Sequence, residues 1–160
     1  MLFGLEKFFL YLWSLIVNGM ERLKKMFSRD DVRGVLLTRD GEVVEFHNPG
    51  VKDLYALVSA RPHALDGACV ADRVIGRGAA LLLALGKVSE VYAQVISTPA
   101  VHVLEDAKIA VDYGTMVPNI INRDGTDMCP VEKLTMNISD PEEAFIKIKE
   151  FLISKNIIVS

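Results

Sequence analysis

Residues 66–85 read DGACVADRVIGRGAALLLAL, and how this stretch is read decides the fold. It opens with small residues around a polar trio, Cys69, Asp72 and Arg73, and closes on an apolar run. Taken as a helix over 72–85, it carries Asp72, Arg73 and Arg77 in its first two turns and then Ala79 to Leu85, apolar on every side. A helix that is apolar all round belongs in a protein interior, and this one is too short to span a bilayer, which takes ~20 apolar residues. Gly86 falls where a C-terminal capping glycine is expected. Gly76 and Gly78 cost ~1 kcal/mol each against alanine within a helix, so their use is to admit a close neighbour, either backbone or ligand. Polar residues and glycines crowded at a helix N-terminus suit an anion or a polar ligand. The competing reading is tight helix–sheet packing with Asp72 as the cap.

Outward from this stretch the elements alternate. Val35–Thr38 and Glu42–Phe46 flank Arg39-Asp40-Gly41, and an Asp-Gly pair between apolar runs predicts a hairpin. His47-Asn48-Pro49-Gly50 is a turn, and residues 52–60 form a short helix ended by Arg61-Pro62. Residues 89–96 are β-branched and aromatic, a buried strand. Ser97-Thr98-Pro99 supplies a cap and a first-turn proline for a helix over 99–107. Residues 109–113 make another strand, and a polar loop with a turn at Asp124-Gly125 follows Pro118. A last helix runs from Ser139 to about Ser154, and Ile157-Ile158-Val159 is a candidate edge strand. Strands alternating with helices imply an α/β fold, a layered sheet with helices on both faces. The chain divides into an N-terminal helix (1–29), an α/β domain (30–136) and a C-terminal helix packed on it (137–160).

Residues 2–27 read as one long helix. Lys7, Ser14, Asn18, Glu21 and Lys25 share a stripe and leave a wide apolar face. Three roles fit: a helix packed on the domain or on a partner subunit in a homo-oligomer, an interfacial membrane helix, or a signal or anchor. Glu6 beside Lys7 departs from the positive leader of a signal peptide. A net charge of −3 argues against a nucleic-acid surface, which needs clustered Lys and Arg. Two distant cysteines, Cys69 and Cys129, form no disulfide framework and fit a reducing cytoplasm.

No cofactor motif is present. His47, His63 and His102 stand apart from any ligand spacing, and neither C-x-x-C nor H-E-x-x-H occurs. His63-Ala64-Leu65 places leucine where a deaminase needs its glutamate. Cys129 precedes Pro130, and a helix starting there would lower the thiol's pKa, against the pull of Asp127 and Glu132. Arg73, Arg77 and Arg123 are candidates to converge on an anion, although no Walker or dinucleotide loop accompanies them.

Two stretches, GACVADRVIGRGAALLLALGKVSEVYAQVIS and MVPNIINRDGTDMCPVE, resemble bacterial and archaeal domains of unknown function that share the cytidine deaminase-like fold. The resemblance runs from about Val32 to Leu134. It implies a three-layer α/β/α sandwich around a mixed sheet. It also implies a pocket supplied by Asp72, Arg73, Arg77, Asp127, Cys129 and Glu132, which Gly76 and Arg123 join as ligand-binding candidates from the sequence itself. In zinc deaminases the metal lies between two helix starts. The corresponding positions here, Ala71-Asp72-Arg73 and Pro99-Ala100-Val101-His102-Val103, lack the ligand set, so zinc-dependent deamination is not expected. The expectation is a metal-free domain binding a small polar or nucleotide-like ligand. The alternatives are a cysteine enzyme using Cys129, with Asp72 or Glu132 as base, and an assembly module driven by residues 2–27 through oligomer or peripheral membrane contact.

Overall fold

The computed structural model describes residues 2–160, apart from the side chains of residues 2, 3 and 14–18. The elements in order are α1 (Leu2–Met26), β1 (Gly34–Leu37), β2 (Val43–Phe46), α2 (Lys52–Ala60), α3 (Pro62–Leu65), β3 (Cys69–Ile75), α4 (Arg77–Gly86), β4 (Glu90–Ser97), α5 (Thr98–Asp106), β5 (Ala110–Val117), α6 (Pro130–Thr135) and α7 (Pro141–Ser154). The strands form one mixed sheet in the order β2-β1-β3-β4-β5. β1 is antiparallel to both its neighbours, and β3, β4 and β5 run parallel. The protein is an α/β fold, as its alternating pattern predicts.

Period-two alternation assigns each sheet face. Leu36, Val70, Val91 and Ala93 enter the large core with α4 and α7, through Leu81, Leu82, Leu83, Ile148 and Leu152. Their chain neighbours Val35, Ala71 and Tyr92 pack on the opposite face against Met20, Leu23 and Phe27. So the end of α1 covers one face of the sheet, and α4, the most apolar helix, anchors the other.

The decisive stretch is divided differently from the sequence reading. Asp72 and Arg73 lie within β3, not on a helix, and α4 begins four residues later with Gly76 as its N-cap. Asp72 pairs with Gly34 on one side and Ala93 on the other. Strand pairing therefore overrides the helical pattern of 72–75, since β1 pairs with β3 as far as Asp72 and β4 as far as Ile75. Gly86 is the last helical residue, and the left-handed cap is Lys87 at φ 59°. Glycine is needed at 86 because a Cβ there would lie 2.5 Å from the Leu65 side chain. No strand forms at 157–159, which are turn and coil after α7. β5 runs on to Val117 rather than ending at 113, while two turn and cap signals hold. Gly41 takes φ 90° in the hairpin turn, and Ser97 caps α5 by accepting the Ala100 N–H at 3.2 Å.

Candidate functional site

A cleft of about 750 Å³ opens at the carboxyl end of β3. Ligands in open α/β sheets characteristically bind there. Its walls come from the β2–α2 connection and start of α2 (Phe46, Asn48, Val51, Leu54), the start of α4 (Gly76, Gly78, Ala79), the loop after β5 with the start of α6 (Ile120, Asn122, Arg123, Cys129, Glu132), and the end of α7 with the segment after it (Phe151, Ile157). Asp72 reaches it from β3, and Arg33 from the segment before β1. A smaller hollow of about 470 Å³ lies beside the hairpin turn, lined by Arg39, Arg61 and His63. There Arg61 is already paired with Glu42 at 2.6 and 3.0 Å, so the larger cleft is the stronger candidate.

Asp72 is the chemically distinctive group. Burial of its carboxyl pushes its pKa up to about 7. Hydrogen bonds from the Val74 and Arg73 backbone and the charges of Arg33 and Arg73 oppose that rise without cancelling it. The Val74 N–H donates to Oδ1 at 3.2 Å. Gly34 makes the space, since a Cβ on it would meet Asp72 Oδ2 and the Phe46 ring, each at 2.9 Å. A carboxyl titrating near neutrality in a cleft is a functional-site candidate on physical grounds.

Glu132, 1% exposed, holds the helix α4 terminus shut. Its Oε2 accepts the Arg77 N–H at 2.5 Å, and its Oε1 accepts the Ile120 N–H at 3.4 Å. A Cβ at position 76 would lie 2.5 Å from Glu132 Oε2, which is why glycine stands there. The dipole end of α4 thus already carries the protein's own carboxylate. An exogenous anion has no place at that terminus, contrary to the sequence reading.

The arginines do not converge. Arg77 turns to the end of α6 and beyond, donating to the Thr135 and Ile138 carbonyls at 2.7 and 2.6 Å. Arg73 donates to the Val32 and Arg29 carbonyls at 3.0 and 2.8 Å and lies 5.4 Å from the Phe27 ring. Arg123 stays at the cleft. Of the eight residues expected at the pocket, Asp72, Arg73, Gly76, Arg123, Cys129 and Glu132 line it, whereas Arg77 and Asp127 do not. Asp127 is exposed and paired with Lys133 at 2.8 Å, an ion pair that holds its carboxyl below the usual range. Arg33, Gly34, Phe46 and Asn48 escape sequence reasoning, because only the pairing of β1 with β3 and β2 brings them to Asp72.

Cys129 is the N-cap of α6, and Pro130 is its first residue, as the sequence implies. Cys69 lies in β3 beside Ser89, at 3.8 Å, with its thiol pKa pushed up by burial. Iodoacetamide at neutral pH is therefore expected to modify Cys129 several-fold faster than Cys69, as read by peptide mass spectrometry. Equal rates would contradict the placement of the two thiols. Faster labelling alone does not make Cys129 a nucleophile, since burial of its rival produces the same order.

The starts of α4 and α5 carry Arg77-Gly78 and Thr98-Pro99-Ala100, with no zinc-ligating side chain among them. Among the described residues, no three His, Cys, Asp or Glu side chains gather so as to hold a metal ion.

The fold and cleft define an α/β domain with a small-molecule-sized hollow at the carboxyl end of the central strand, reached by a carboxyl. Residues 22–152 match the TM1506 family, described as a domain of unknown function, DUF1893, and the chain belongs to that family. A crystal structure of a DUF1893 family protein (TM1506) from Thermotoga maritima is similar, with a TM-score of 0.76 and 28% sequence identity. The match covers 83% of this chain and 89% of that one. No curated protein matches the chain. Neither match names a deaminase.

Proposed function

We propose that the domain binds a small, part-planar polar molecule of nucleoside type through its hydrogen-bonding edge. The observation that carries this reading is the Asp72 carboxyl, poised near neutrality inside a cleft of about 750 Å³. A protonated carboxyl presents one donor and one acceptor side by side. It pairs with the N–C=O or N–C=N edge of a heterocycle in a double hydrogen bond. Apolar walls at Phe46, Val51, Leu54, Ile120 and Phe151 suit the faces of such a ring. With the α4 terminus filled by Glu132, a phosphate has Arg123 and Arg33 at the cleft to meet it rather than a helix end.

Thermal-shift and NMR titration with nucleobases, nucleosides and nucleotides tests the reading. Binding by some member of the panel, weakened about tenfold or more in Asp72→Ala, is the expected result. Arg123→Ala should weaken only phosphorylated members. A flat response across the panel, or binding indifferent to Asp72, would overturn it.

A further inference from the structure

The two edges of the sheet are built differently. β2 has four residues, none of them exposed, and charges stand over it. Glu45 is paired with Arg29 at 2.9 Å, and Glu42, just before the strand, with Arg61 at 2.6 Å. Short length and charge are ways in which natural proteins close a sheet edge to other chains. β5, at the opposite edge, has eight residues, six of them exposed, and carries neither proline nor lysine. It follows β4 in one constant offset from Glu90↔Ala110 to Ser97↔Val117, with no bulge to turn the edge away. The Ala110 N–H donates back to the Ser89 carbonyl at 3.2 Å, so strand alternation turns the backbone groups of Val111 and Tyr113 outward. Asp112 is the strand's one charged residue. Its Oδ2 lies 3.4 Å from Lys24 Nζ, and its Oδ1 accepts the Tyr113 N–H at 2.9 Å. That second bond is exposed, and the carbonyl of an incoming strand replaces it at little net cost.

We infer that β5 pairs antiparallel with β5 of a second copy of this chain across a two-fold axis, joining two five-stranded sheets into one. Three observations carry this. The first is the edge itself. Among the described residues no strand lies beyond β5, and a row of open N–H and C=O groups calls for another extended chain. Lipid is unfit for it, since every backbone polar group there must already be satisfied. The second is self-complementarity. A two-fold normal to the sheet sets one residue opposite its own copy. With Tyr113 on the axis, Tyr113 meets Tyr113, Val111 meets Thr115 and Asp112 meets Gly114. With Gly114 on the axis, Tyr113 meets Thr115, Val111 meets Val117 and Asp112 meets Met116. Both registers bring aromatic and β-branched residues together, and in neither does the one charge face its like. The third is exposure on both faces. Tyr113 pairs in register with Ala93 on the side of the large core, Asp112 with Tyr92 on the side of α1, and both are exposed. A lone peptide would complete the edge and leave these faces bare. A second copy continues the sheet with its own helical layers alongside. No residue of β5 lines the cleft, so the pairing leaves it open.

Sedimentation of the full-length protein over a range of concentrations reads the assembly directly. The expected result is a monomer–dimer equilibrium. Tyr113→Lys with Thr115→Lys sets lysine opposite lysine in either register and should weaken the dimer by about tenfold or more. Tyr113→Glu with Thr115→Glu should do the same. Both positions are exposed, so circular dichroism and the melting temperature should stay as in the wild type. An equimolar mixture of the two variants should dimerise again, because lysine then meets glutamate. Neither a folding defect nor a contact elsewhere on the chain produces that rescue. Three results overturn the inference: a wild-type protein monomeric at every concentration, a dimer that both variants keep, or two monomeric variants that do not pair on mixing.

Discussion

Asp72→Asn is expected to stabilise the protein at pH ~8 and to leave it unchanged at pH ~3. The carboxyl titrates at about 7 in the fold against 3.8 in the open chain. Below the lower value both states hold the proton, and the group makes no difference. Between the two values the unfolded chain has released its proton and the folded one has not, so stability falls as pH rises. Above 7 both are ionised and the full burial penalty remains. At ~1.4 kcal/mol per pKa unit the ceiling is about 4 kcal/mol, and local relaxation should bring the gain to about 1–3 kcal/mol. Urea denaturation of both proteins across this range measures it. A difference that does not change with pH would contradict the assignment. A position that a protein would be more stable without is what a binding site looks like when stability has been given up for function.

The opposite effect is expected at Glu132. Glu132→Ala removes the acceptor for the Arg77 N–H at the α4 terminus and for the Ile120 N–H, and leaves a void in a buried place. Losing a cap and stranding donors together costs about 3 kcal/mol. Glu132→Gln keeps the shape and one acceptor oxygen but loses the charge, and should cost about half as much. Arg77→Ala strips two hydrogen bonds from the Thr135 and Ile138 carbonyls and should cost about 2 kcal/mol. Because both residues join α4 to α6, the double variant should lose less than the sum. Denaturant midpoints decide this, and changes below ~0.5 kcal/mol would place both residues among ordinary surface positions.

These two carboxyls show where sequence reading succeeds and stops. The hairpin, α2 and α5 are legible because their signals are local: an Asp-Gly turn, an apolar stripe ended before Pro62, a serine cap three residues from its donor. The boundary between β3 and α4 is not local. Asp72-Arg73-Val74-Ile75 flows into Gly-Arg-Gly and a leucine run, and read alone it joins the helix. Only the ladders to β1 and β4 make it a strand. Glu132 is read as a pocket carboxyl, but its partner lies 55 residues earlier, and that separation hides its capping role. Asp72 is found for its polarity in an apolar stretch. Arg33, whose charge acts on it, and Gly34, whose bare backbone makes room for it, lie just before β1 and at its start and leave no trace beside it in the sequence. Helix α1 is half legible. Its wide apolar face is in the sequence, whereas the point where it meets the sheet, near Gly19, comes from packing against Leu37.

The most direct test is a carbon-13 NMR titration of the Asp72 carboxyl in the ligand-free protein, with Asp72→Asn to assign the resonance. The account requires a midpoint near 7. A midpoint near the ordinary aspartate value of ~4 would mean that water reaches the carboxyl freely, and the cleft would lose the feature that makes it a binding site.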